Sequence, residues 1–260
     1  MVIPIFQVDA FTARVFSGNP AAVCPLREWI SDEAMQLIAQ ENNLSETAFF
    51  APEGRNYRIR WFTPEEEVEL CGHATLATAF VIFTELDPGS TKVVFESLSG
   101  PLTVEKKGEL LSMDFPSQPP VPCTAPEGLV EGLGKKPVEV LRSADYFVVY
   151  ENEQDILDLN PRMDLLRAID LRGVIATAPG NAADFVSRFF APRLGIDEDP
   201  VTGSAHCALT PYWAKSLGKD GLIARQVSRR GGELYCCDKG ERVTISGRAA
   251  KYLQGSIVTG

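Results

Sequence analysis

The stretch Arg60-Trp61-Phe62-Thr63-Pro64 recurs 128 residues later as Arg188-Phe189-Phe190-Ala191-Pro192. Beyond each copy comes a glycine-led apolar segment, Gly72-His73-Ala74-Thr75-Leu76-Ala77 and then Gly203-Ser204-Ala205-His206-Cys207-Ala208, shifted by 131. Ser97-Leu98-Ser99-Gly100 meets Ser228-Arg229-Arg230-Gly231 at the same shift of 131, and Lys107-Gly108-Glu109 meets Lys239-Gly240-Glu241 at 132. Four matches in one order, offset by half of a 260-residue chain, read as a tandem duplication. Two similar domains are therefore expected, residues 1–116 and 128–260, with the last strand free to pack back on the first domain. The proline run from Pro116 to Pro122, with Pro126 beyond it, excludes helix and inner strand, so 117–127 reads as an extended linker.

Each half reads as short strands around one helix. Tyr57, Ile59 and Trp61 alternate with Arg58 and Arg60, the period-2 signature of a half-buried strand. Val93-Val94-Phe95, Leu102-Thr103-Val104 and Leu110-Leu111-Ser112-Met113 are further strands. Ser31 or Asp32 caps a helix running to about Asn42. Asn160-Pro161 reads as the start of its counterpart, a cap followed by proline at the first helical position. Ala74 to Phe83 is apolar on every side, so that helix must be buried all round. Its copy, Ala205 to Leu217, carries Pro211, which predicts a kink or break. The fold class is thus α+β: two pseudosymmetric domains, each a sheet around a central helix.

Composition narrows the function. Lys+Arg 25 against Asp+Glu 35 gives a net charge of −10, which argues against a nucleic-acid partner. No apolar run approaches the roughly 18 residues of a membrane helix, and no basic n-region precedes an apolar stretch at the N-terminus. The 6 cysteines form no C-x-x-C pair and read as reduced thiols of a cytoplasmic protein. Only 2 histidines exist, His73 and His206, and neither sits in a metal-ligand motif, so no metal is expected. Neither a P-loop nor a G-x-G-x-x-G fingerprint occurs.

Chemistry is expected where the two central helices begin. Gly72-His73 and Gly203-Ser204 would present free backbone N–H groups to an anion, with Gly231 and Gly232 as further donors. That would let an acidic protein hold a small anionic metabolite without a basic patch. The halves differ in their polar groups: Glu46 meets Gly173 in the comparison, His73 meets Ser204, and Asp199 stands before Pro200-Val201-Thr202-Gly203. Glu46, His73 and Asp199 are three acid–base groups around one ligand, enough to take a proton from carbon and return it elsewhere. Read singly, each has a plainer role: Glu46 a solvated loop carboxylate, Asp199 a turn former, His73 a helix-end donor.

Ala10-Phe11-Thr12, Gly18-Asn19-Pro20-Ala21-Ala22-Val23, Asn43-Leu44-Ser45-Glu46-Thr47, Cys71-Gly72-His73-Ala74-Thr75, Asp199-Pro200-Val201-Thr202-Gly203-Ser204-Ala205-His206 and Arg229-Arg230-Gly231-Gly232-Glu233-Leu234 together resemble the PhzF-like family, within the diaminopimelate-epimerase fold. The resemblance runs from residue 3 to about 257. It implies two barrel-like, mostly antiparallel domains with the active site in the cleft between them, no cofactor, and homodimers in many members. It implies that Glu46 is a catalytic proton shuttle, assisted by His73, Asp199 and Ser204, with Asn19, Gly72, Gly203, Gly231 and Gly232 binding substrate. Related epimerases use two cysteines; Cys71 resembles the first, and Thr202 stands at the second, so a two-thiol mechanism is broken here. The expected activity is a cofactor-independent isomerase. An epimerase with two unlike bases, or an idle binding protein of the same fold, are the alternatives.

Overall fold

A computed structural model describes residues 1–259. Contacts divide the chain into two compact units, Met1–Asp114 with the segment from Ser246 onward, and Phe115–Ile245. In the first unit the elements are β1 (Val2–Ala10), β2 (Asn19–Pro25), α1 (Asp32–Asn42), β3 (Glu46–Glu53), β4 (Asn56–Phe62), β5 (Glu67–Val68), α2 (Gly72–Val81), β6 (Lys92–Ser97), β7 (Gly100–Lys107) and β8 (Leu110–Pro116). The chain's last strand, Ala249–Val258, pairs antiparallel with β1 and so belongs here. Neighbours are antiparallel except β2 with β3 and β4 with β6.

Helix α1 begins where expected, with Ser31 Oγ accepting from Ala34 N–H and Met35, Ile38 and Ala39 buried. Helix α2 packs on β1, β2 and β3. Ala74, Leu76, Ala77 and Ala79 are wholly buried, because small side chains let a sheet wrap a helix closely. Thr75 and Thr78 are buried too, and their hydroxyls donate back to the Cys71 and Ala74 carbonyls at 2.6 and 2.7 Å.

The second unit repeats this order with β9 (Val121–Pro122), α3 (Leu129–Leu133), β10 (Glu139–Arg142), β11 (Tyr146–Val149), α4 (Glu153–Leu157), α5 (Met163–Arg167), β12 (Val174–Pro179), β13 (Phe185–Ala191), β14 (Ile196–Asp199), α6 (His206–Leu217), β15 (Gly221–Gln226), β16 (Gly232–Asp238) and β17 (Arg242–Gly247). Its parallel pairs are β11 with β12 and β13 with β15, the same places in the order as in the first unit. The recurring stretches end β4 and β13, and each arginine does the same work. Arg60 grips Glu67 with Nε and Nη2 at 2.7 and 2.6 Å and lies 5.2 Å over Phe62. Arg188 grips Glu198 at 2.7 and 2.9 Å and lies 4.9 Å over Phe190.

Three expectations change. The helix foreseen at Asn160-Pro161 is instead two short ones: Asn152 caps α4 through Asp155 N–H, and Arg162 N–H is tied to the Gly132 carbonyl before α5 begins. Pro211 neither breaks nor ends α6. A proline there leaves the carbonyl four residues earlier without its helical donor. That carbonyl is Cys207's, and Gln118 N–H donates to it at 2.9 Å. The donor comes from the proline run expected as an extended linker, which lies within the second unit: Ser117 N–H bonds the Glu241 carbonyl, and β9 pairs with β10. Among the described residues no helix is long and apolar enough to cross a membrane.

Candidate active site

In the first unit three chain segments converge on His73. Asn43 closes α1 in the left-handed conformation, Ser45 follows two residues later, and Glu46 opens β3. Gly18 has φ +68°, and a Cβ there would lie 2.1 Å from the Ala10 carbonyl oxygen, so only glycine lets the chain turn and start β2 with Asn19. Cys71 precedes α2 and makes no side-chain cap, which leaves the helix's first backbone N–H groups without that partner.

Glu46 Oε2 lies 3.0 Å from His73 Nε2. Both atoms are buried and face no other polar partner. On the ring's other side, His73 Nδ1 is 3.3 Å from Asn19 Nδ2 and 3.5 Å from Cys71 Sγ. Ser45 Oγ donates to Asn19 Oδ1 at 3.3 Å. Burial works against an imidazolium at His73, but the acidic groups Cys71 and Glu46 outweigh it and hold the pKa well above the ordinary histidine value. Burial, then the Glu46 charge, pushes the Cys71 thiol up to about 11, so at neutral pH Cys71 is a thiol and Glu46 is the group that favours the imidazolium. Carboxylate and thiol face different ring nitrogens, although the ligand atoms lie within 4.8 Å of one another. Carboxylate, thiol and imidazole are donor types that could hold a metal ion.

In the second unit, Asp199 ends β14 and its carboxylate accepts from Thr202 Oγ1 at 2.6 Å. Gln226, almost wholly buried, bonds the Asp199 carbonyl at 2.7 Å and the Thr202 N–H at 2.8 Å, which fixes the loop. Gly203 and Ser204 precede α6 by a tight turn in which His206 N–H bonds the Gly203 carbonyl. Arg172 Nη2 donates to Ser204 Oγ at 3.2 Å, and the same guanidinium is gripped by buried Asp145 at 2.9 and 2.6 Å. Burial opposes the Arg172 charge and the Asp145 carboxylate more than restores it, so its pKa is raised. His206 is fully buried, with Nδ1 2.8 Å from the Thr202 carbonyl and Nε2 without a partner; burial lowers its pKa to about 4, so it is a neutral core side chain.

The structure therefore assembles Glu46, His73, Asn19 and Gly72 in one unit, and Asp199, Ser204 and Gly203 in the other. Gly231 has its N–H engaged by Ser228 Oγ at 3.1 Å, and Gly232 starts β16, so these two shape the turn beside Pro200. The strand register explains the asymmetry. Thr47 faces Phe62 and Val174 faces Phe190, so Glu46 and Gly173 are equivalent, as are Ser45 and Arg172. A Cβ on Gly173 would meet Phe189 Cζ at 2.6 Å and the Phe190 carbonyl oxygen at 2.8 Å, so no carboxylate fits there. Sequence reasoning passed over Arg172, Asp145, Thr202, Gln226 and Ser45. The adjacency of Ser45 to Glu46 and Arg172 to Gly173 was the available signal.

Residues 8–255 match the PhzC-PhzF family model, described as phenazine biosynthesis-like protein. A Pseudomonas aeruginosa protein named an uncharacterized isomerase is 53% identical over 257 residues, 99% of each chain. The crystal structure of a phenazine biosynthesis PhzF-family protein from Enterococcus faecalis superposes with a TM-score of 0.97 at 48% identity, covering 100% of both chains. A hydroxyproline epimerase from Agrobacterium vitis shares the fold alone, with a TM-score of 0.61 at 9% identity, over 98% of this chain and 92% of that one.

Proposed function

The chain belongs to the phenazine biosynthesis-like (PhzF) family, and from that premise we propose that it is a cofactor-independent isomerase moving a proton between carbons of a small carboxylate-bearing metabolite. Glu46 is the general acid/base. The observation that carries this is its Oε2 oxygen, buried beside α2's first turn with only His73 Nε2 as partner at 3.0 Å. A carboxylate so placed is held by one charged neighbour and keeps its second oxygen for a substrate C–H. His73 holds and polarises the substrate and steadies the charge on Glu46. The N–H groups at Gly72 and His73 suit the substrate's carboxylate.

Asp199 and Ser204, in the second unit, are assigned assisting roles. The Thr202 hydroxyl and the Gln226 amide hold the Asp199 loop, and Arg172 holds Ser204. An epimerase with two unlike bases is the second reading, favoured by Thr202 standing where a second thiol would be. The test is a panel of cyclic and unsaturated carboxylic and amino acids incubated in deuterium oxide and followed by proton NMR. The full chain is expected to isomerise or exchange at least one of them. Glu46→Gln should lower that rate by about 10²–10⁴, the usual weight of one acid–base group. Equal rates in both proteins would remove Glu46 from the mechanism.

A further inference from the structure

Among the described residues, one group of three His, Cys, Asp or Glu side chains stands close enough to share an ion: Glu46, Cys71 and His73. No spacing announces it. Cys71-Gly72-His73 matches none of the common zinc patterns, and Glu46 lies on another element, at the start of β3. His73 is 7% exposed, and its Nε2 and the Glu46 Oε2 atom have no hydrogen-bond partner beyond their mutual contact at 3.0 Å. Cys71 Sγ lies 3.5 Å from Nδ1 on the other side of the ring. Bond lengths of about 2.0–2.3 Å put neighbouring ligand atoms of a tetrahedral zinc about 3.5 Å apart. An ion on either ring nitrogen thus finds one ligand in place. Because the three ligand atoms lie within 4.8 Å of one another, the other has to close by about 1 Å.

We infer that Glu46, Cys71 and His73 form a zinc site, and that zinc bound there blocks the reaction. Imidazole, thiolate and carboxylate together suit zinc, whereas calcium and magnesium take oxygen ligands. Charge balance favours it too. Zinc replaces one proton on the Cys71 sulfur and one on the His73 ring, both released to solvent. Zn2+, thiolate and carboxylate then sum to zero, as thiol, carboxylate and imidazolium do before it binds. A neutral set avoids the cost of a net charge in a buried place, and is not opposed by the positive end of α2. Without an ion, Glu46 and His73 already satisfy each other, so zinc is a visitor to this site and not a strut of the fold. The block rests on the reading of Glu46 as the acid–base group: a carboxylate bound to zinc has given up the electron pair that takes a proton from carbon.

The experiment titrates the full, reduced, chelator-treated chain with zinc by calorimetry and with cobalt(II) in a spectrophotometer. One ion per chain is expected. Cobalt should show the visible bands of tetrahedral coordination and a near-ultraviolet sulfur-to-metal band. Cys71→Ser should abolish the sulfur band. Both it and Glu46→Gln should weaken zinc by about tenfold or more, the loss that even an outer partner costs a metal site. Cys237→Ser, which removes a partly buried thiol outside the trio, should change neither reading. Zinc affinity and a sulfur band that survive Cys71→Ser mean an adventitious ion only and overturn the site, even where Glu46→Gln fails to fold. The absence of saturable binding overturns it equally. Zinc added during turnover should slow wild type in step with occupancy, and full speed at full occupancy overturns the block. Occupancy is read without any substrate, so the site stands or falls separately from turnover by Glu46.

Discussion

Lowering the pH from 7.5 to 5.0 should destabilise the second unit through His206. The ring is fully buried, donates Nδ1–H to the Thr202 carbonyl, lies 5.9 Å from the Phe185 ring and has no partner at Nε2. Burial lowers its pKa from 6.5 to about 4, partly offset by the Thr202 carbonyl. Between those values the unfolded chain binds a proton that the native one refuses, so stability falls as pH falls through 6.5 and levels out below 4. At pH 5.0 the loss is about 2 kcal/mol. His73 acts in the opposite sense, its raised pKa adding stability that is complete below 6.5 and lost as pH rises through the folded value. Comparing wild type with His206→Asn isolates the first effect. Asn keeps an N–H for the Thr202 carbonyl, so the variant shifts absolute stability but should not titrate. Urea unfolding at several pH values should give a stability difference between the two proteins that narrows by about 2 kcal/mol from pH 7.5 to 5.0. A difference that stays constant would refute the buried, neutral His206.

Other perturbations test the packing behind the site. Gln118→Pro leaves the Cys207 carbonyl unmet in a helix that already contains Pro211, and should cost about 1–3 kcal/mol in urea unfolding. Arg172→Met strands the buried Asp145 carboxylate. The cost should be about 2–4 kcal/mol, allowing for the partly exposed guanidinium, with much of it recovered in Arg172→Met/Asp145→Leu. Gly173→Ala forces a Cβ into Phe189 and the Phe190 carbonyl, and should cost about 1–3 kcal/mol by thermal or urea unfolding.

Much of this architecture could be read from the chain because the same local needs recur in both halves. An arginine two residues before a phenylalanine grips a glutamate in each, and a glycine stands at or just before the start of each central helix. Glu46 and His73 stood out because the other half lacks them. What stayed hidden depended on contacts distant in sequence. Nothing near Pro211 announces that Gln118 supplies its missing donor, and nothing near Asn160 says that Arg162 is tied to Gly132. Arg172 has no partner near it in sequence to mark it. Its value comes from Asp145, 27 residues away, and Ser204, 32 residues away.

The central claim is that Glu46 carries one proton from one carbon to another. It is tested most directly by following a substrate found in the screen, deuterated at the carbon that loses its proton, through a single turnover in ordinary water. Wild type should deliver part of that deuterium to the new carbon of the product, and Glu46→Gln, slowed by about 10²–10⁴, should deliver none. Product carrying only solvent hydrogen, formed equally fast by Glu46→Gln, would contradict the account.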